Sequence, residues 1–123
     1  MNNTTISRIA LTVYAIVLLV FGFGHFANGS QMVGMVPSFL PGGIIWVYIA
    51  GAGLILAAIS FIINKQVRLA AFLLGALLLI IVLTIHLPGM MNGKDEMMKM
   101  TEMTMLLKDT AMAAAAFYIG SKN

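Results

Sequence analysis

Three stretches of the chain are apolar almost without interruption, residues 9–26, 44–63 and 69–87. Each is close to the ~20 residues that cross a hydrocarbon layer as an α-helix. A fourth run, residues 101–119, has the same length but is broken by Glu102, Lys108 and Asp109. The stretch from Ala111 to Ala116 still favours helix strongly. Only Asn64 to Arg68 separates the second run from the third, short enough to force an antiparallel hairpin. The pattern predicts an all-α fold, an integral membrane four-helix up-and-down bundle, with residues 1–123 forming a single transmembrane domain.

The polar positions give that array an orientation. Arg8, Lys65, Arg68 and Lys122 fall at one end of the predicted helices, whereas Lys94 and Lys99 at the other have Asp95 and Glu96 beside them. Basic residues gather on the cytoplasmic side of membrane proteins, so both termini are expected in the cytoplasm and the chain in the cytoplasmic (inner) membrane as a multi-pass protein. Residues 27–43 carry no charge and are rich in turn formers, yet too apolar for free solvation; they are expected in the interface or over the bundle mouth, with Trp46 and Tyr48 as anchors. Pro88-Gly89 is expected to stop the third helix.

Composition narrows the class further. With 61% hydrophobic and 9% charged residues, a soluble domain of this size could not clothe its surface, so the lipid bilayer is the first expected partner. The net charge of +3 comes from scattered residues and not a basic stripe, which excludes a nucleic-acid surface. Cysteine is absent, which removes disulfides and thiolate chemistry and leaves any redox role to a bound cofactor. The polar start followed by Arg8 and an apolar run resembles a secretory signal peptide, but His25 stands where signal peptidase requires a small residue; an uncleaved first span is expected.

Ionisable groups inside spans cost about 2.5 to 3.5 kcal/mol on insertion scales and are functional candidates by default. His25 and His86 close the outer ends of the first and third spans, and Lys108 with Asp109 sits in the outer half of the fourth. Lys108 has the reach to snorkel; Asp109 does not, and must pair, face a wet cavity or keep its proton. Met98, Glu102, Met105, Asp109, Met112 and Ala116 recur at helical spacing, so this face is expected to look inward. Its plainer reading is a methionine-lined core with two carboxylates near its wet end. The expected ligand-binding set is His25, His86, Glu102, Met105, Lys108 and Asp109. Ala50, Gly53, Ala57 and Ser60 form a small-residue stripe that suits close helix packing.

Candidate cofactors follow from these groups. Eight of eleven methionines lie between Met90 and Met112, and soft thioethers select copper(I), but the spacing is loose and methionine is an ordinary packing residue. Two histidines on different helices are the minimum for a haem with paired axial ligands, and nothing else supports one. A quinone-like ligand is the cofactor the pattern favours over haem or copper. No nucleophile with a neighbouring base, phosphate loop or zinc spacing is present, so no catalytic set is complete.

Gly24-His25-Phe26, the segment from Met32 to Pro41, Trp46-Val47-Tyr48-Ile49-Ala50-Gly51, Ile85-His86 and Leu106-Leu107-Lys108-Asp109 together resemble the DoxX family, over most of the chain from Gly22 to Ala116. The resemblance implies a four-span membrane protein linked to thiosulfate:quinone oxidoreductase and other membrane oxidoreductase complexes, with distant relatives acting as cargo receptors or receptor-assembly chaperones. His25, His86 and the Lys108-Asp109 pair match positions where that family is usually polar, whereas Leu54 stands where many members carry an acidic residue. Two functions are therefore expected to compete. One is a redox-associated subunit with a lipophilic ligand site at the outer end of the bundle. The other is a non-enzymatic escort for another membrane or redox protein partner, and a homo-oligomer is compatible with either.

Overall fold

Asn2 opens the first helix, its side chain accepting the Thr5 N–H at 2.8 Å and satisfying one of the donors that a helix start leaves free. Helix α1 then runs over Asn3–Ala27. The computed structural model describes residues 2–123, and among them all regular structure is helical, with no strand. A short α2 (Gly29–Met32) and a 3-10 turn lead into α3 (Ile44–Ile63), after Gly42 and Gly43 at φ 101° and 48°, values that favour residues without a Cβ. The loop is tied down by the Trp46 indole, which donates to the Pro41 carbonyl at 2.6 Å, and by Phe26 stacked on Tyr48.

The turn after α3 places Asn64 and Gln66 in the left-handed region, with the Ser60 hydroxyl donating to the Lys65 carbonyl. Helix α4 (Val67–Met91) follows as one rod of 25 residues. Contrary to expectation it does not stop at Pro88. The turn Val82–His86 is wound as a π-helix, with the Leu87 N–H reaching the Val82 carbonyl. Proline has no N–H and its ring would press on the Thr84 carbonyl in a regular α-helix; the wider turn takes up that misfit. Asp95 caps the last helix, α5 (Glu96–Ser121), by accepting the Met98 N–H at 2.7 Å.

The helices pack mainly as two antiparallel pairs, α1 with α3 and α4 with α5, and α3 meets α4 more sparsely. Glycine sets the closest approach in the first pair: a Cβ on Gly22 would meet Ile55 at 2.6 Å, and one on Gly51 would meet the His25 Cβ at 2.7 Å. In the second pair Phe117 fills the space over Gly75, and Phe72 that over Gly120. Leu18, Phe61, Leu54, Leu74, Leu78 and Ala113 draw all four long helices into one core. Leu54 is thus a packing residue, 3% exposed. The Tyr14 hydroxyl joins the pairs by donating to the Met112 carbonyl at 2.6 Å.

Three helices, Asn3–Ala27, Ile44–Ile63 and Val67–Met91, are long and apolar enough to cross a membrane. At the end bearing the α3–α4 turn, Arg8 donates to the Phe61 and Ile62 carbonyls at 2.7 and 2.5 Å, and Arg68 to the Gly120 carbonyl at 3.1 Å. Each guanidinium thereby covers carbonyls that a helix C-terminus leaves without an intrahelical partner.

Candidate functional site

At the opposite end, α4 and α5 enclose a row of three ionisable side chains. His86 Nδ1 lies 2.8 Å from Glu102 Oε2, and His86 Nε2 lies 3.1 Å from Asp109 Oδ2. All three residues are buried, at 6 to 7% exposure. The register follows from helix geometry: Glu102 and Asp109 are two turns apart on one face of α5, about 10 Å along its axis, which leaves room for one imidazole between them. Met105 sits between them in sequence and is half-buried.

Two N···O contacts need two protons. A doubly protonated imidazole donates to both carboxylates; a neutral one donates to a single carboxylate and needs the other acid to carry its own proton. Either way two protons are shared along the row, and with no further proton on its carboxylates it carries one net negative charge. Lys108 supplies the offset, its Nζ 3.4 Å from Asp109 Oδ1 and 4.1 Å from the centre of the Phe21 ring on α1. That cation–π contact ties the row to the other helix pair.

Gly89 makes the row sterically possible. A Cβ at that position would meet the Glu102 carboxyl carbon at 2.8 Å. Glu102 Oε1 makes no hydrogen bond, and no buried side-chain oxygen or nitrogen among the described residues lacks a partner. Oε1 is therefore the one carboxylate oxygen of the row without a protein partner that remains open to its surroundings.

Of the residues expected at a site, the structure brings His86 on α4 together with Glu102, Asp109 and Lys108 on α5, where Met105 lies between the two carboxylates in sequence. His25 is held elsewhere: its Nδ1 lies 2.7 Å from the carbonyl of Phe21, one turn earlier in its own helix, and its Cβ packs on Gly51 in the α1–α3 pair. Met98 is 46% exposed, so the inward face of α5 begins at Glu102. Sequence reasoning missed Gly89, Phe21 and Tyr14. Tyr14, the one tyrosine within the first apolar run, was the one available signal; nothing local marked the other two.

The row is linear and not convergent. Its carboxylates lie at opposite edges of one ring, and no group of three or more His, Cys, Asp or Glu among the described residues is placed to hold a metal ion. With both ring nitrogens engaged, His86 in this geometry offers none to a haem iron or a quinone carbonyl. What such a row does well is take a proton at one carboxylate and release it at the other through the ring.

The profile of one protein family, described as a domain of unknown function (DUF8561), matches residues 14–119, and the chain belongs to that family. No curated protein and no solved structure matches the chain.

Proposed function

We propose that this DUF8561 protein is a four-span bundle of the cytoplasmic membrane, with both termini in the cytoplasm, acting as a redox-associated subunit whose buried row exchanges protons with a quinone-like lipophilic ligand. The membrane placement is supported by the apolar surface: Val20, Phe23, Leu56, Leu73 and Leu83 are each at least 60% exposed, more than water tolerates across contiguous helices. Helix α5 fits as the fourth span because its carboxylates turn inward and pair. The grouping of Arg8, Lys65, Arg68 and Lys122 at one end supports the orientation, and the resemblance to DoxX proteins points to the same class.

The observation that carries the functional reading is His86 held between Glu102 and Asp109. A purely structural role needs one ion pair; two carboxylates on one ring form a path. Glu102 Oε1 is where a ligand hydroxyl or a water would meet it, Asp109 backed by Lys108 is the inner terminus, and His86 is the relay.

The test is ligand retention. Purified in mild detergent, the chain should yield a quinone in organic extracts by mass spectrometry, and Glu102→Gln should lower its affinity for added short-chain quinone while the fold persists by circular dichroism. A chain that carries no quinone, binds none when it is added and instead holds a stoichiometric protein partner would refute this reading. The escort function would then stand, favoured by the saturation of both His86 nitrogens within the protein.

A further inference from the structure

Away from the row, the sparse contact between α3 and α4 leaves an apolar groove of about 420 Å³. Its floor is the small-residue stripe Gly53, Ala57 and Ser60, its α4 wall includes Leu73 and Leu77, and it ends at Lys65 and Gln66 in the turn. The stripe therefore does not serve the closest helix approach, which Gly22 and Gly51 carry instead. A Cβ on Gly53 would meet the tip of Leu77 at 3.2 Å and no backbone, so a side chain, not a neighbouring helix axis, closes over the floor there.

The polar end of the groove decides its occupant. Among the described residues four cationic side chains gather at this end of the protein, and three are engaged: Arg8 on the Phe61 and Ile62 carbonyls, Arg68 on the Gly120 carbonyl and the Phe72 ring, and Lys122 over the Tyr118 ring. The Lys65 ammonium has no hydrogen bond, ion pair or aromatic partner among the described residues. Its backbone is nevertheless fixed by Ser60, which bonds both its N–H and its carbonyl. An unpaired ammonium, carried on a fixed stretch of backbone at the mouth of a narrow apolar trough, complements a molecule with an acyl chain and an anionic head.

We propose that the α3–α4 groove binds one anionic phospholipid, its acyl chain along Gly53, Ala57 and Ser60 and its phosphate on Lys65. The inference rests on the membrane placement and is independent of the ligand at the His86 row. A protein helix would use the same floor but has no reason to bring an anion to Lys65.

The chain is reconstituted in nanodiscs of mixed phosphatidylglycerol and phosphatidylcholine, stripped with detergent, and the retained lipid counted by native mass spectrometry. One phosphatidylglycerol should persist. Lys65→Ala should weaken its retention about fivefold, the effect of one cation near an anionic headgroup, Lys65→Arg should preserve it, and Lys94→Ala at the other end should leave it unchanged. Gly53→Leu, checked for folding by circular dichroism, should displace it by filling the floor. Equal retention of phosphatidylcholine, indifference to Lys65→Ala, or a second copy of the chain crosslinked through the groove would each overturn the proposal.

Discussion

Gly89 and Glu102 face each other so closely that a methyl group on the glycine would overlap the glutamate carboxyl carbon at 2.8 Å. The carboxylate is pinned between that backbone and the His86 ring, so Gly89→Ala must move Glu102 off Nδ1. Overpacking of this kind costs about 1 to 3 kcal/mol, measurable as a lower unfolding midpoint in detergent. Gly34→Ala, with nothing within 4 Å of the new Cβ, should change nothing.

Truncation of His86 leaves two buried carboxylates without their common partner. His86→Ala should destabilise the chain by about 3 to 5 kcal/mol, as the loss of one member of a buried ionic group does. Removing the carboxylates as well, in His86→Leu with Glu102→Met and Asp109→Leu, should recover most of that stability while proton exchange is lost. Denaturation of the single and triple variants in mixed micelles separates a row retained for function from one retained for folding.

The Tyr14 hydroxyl binds a main-chain carbonyl three residues beyond Asp109 and joins the two helix pairs. Tyr14→Phe should cost about 0.5 to 1.5 kcal/mol, the net value of one such bond. Quinone affinity at the row should be unchanged, because Tyr14 touches none of its members by hydrogen bond.

The helices and their pairing were written in different parts of the sequence. Length and hydropathy marked the apolar helices, and the spacing of Glu102, Met105 and Asp109 marked the inward face of α5, because one helix's periodicity is a local property. Which histidine that face would meet was not local. His25 and His86 look alike at the ends of apolar runs, and only the glycine contacts of Gly22 with Gly51 assign the first to the α1–α3 pair. The expected stop at Pro88 fails for a related reason: a proline forbids a regular turn but not a π turn, and the choice depends on what the next residues pack against. Here Gly89 receives Glu102, so continuing the helix keeps the site together.

The absence of native cysteine makes orientation directly testable. Asn123→Cys at the C-terminus should react with a membrane-impermeant maleimide only after the cells are opened, whereas Asn92→Cys, in the loop before α5, should react in intact spheroplasts. The reverse pattern would place the row at the cytoplasmic face and refute the proposed orientation.

The proposed function turns on proton exchange among Glu102, His86 and Asp109 when a ligand arrives. Infrared difference spectroscopy of the reconstituted protein, recorded as a short-chain quinone is added in the dark, reads the protonated-carboxyl stretch directly. A carboxyl band that shifts in the native chain, and loses separate components in Glu102→Gln and Asp109→Asn, is the result expected. A spectrum without a carboxyl change, or one that both substitutions leave intact, would contradict it and reduce the row to a clamp between two helices.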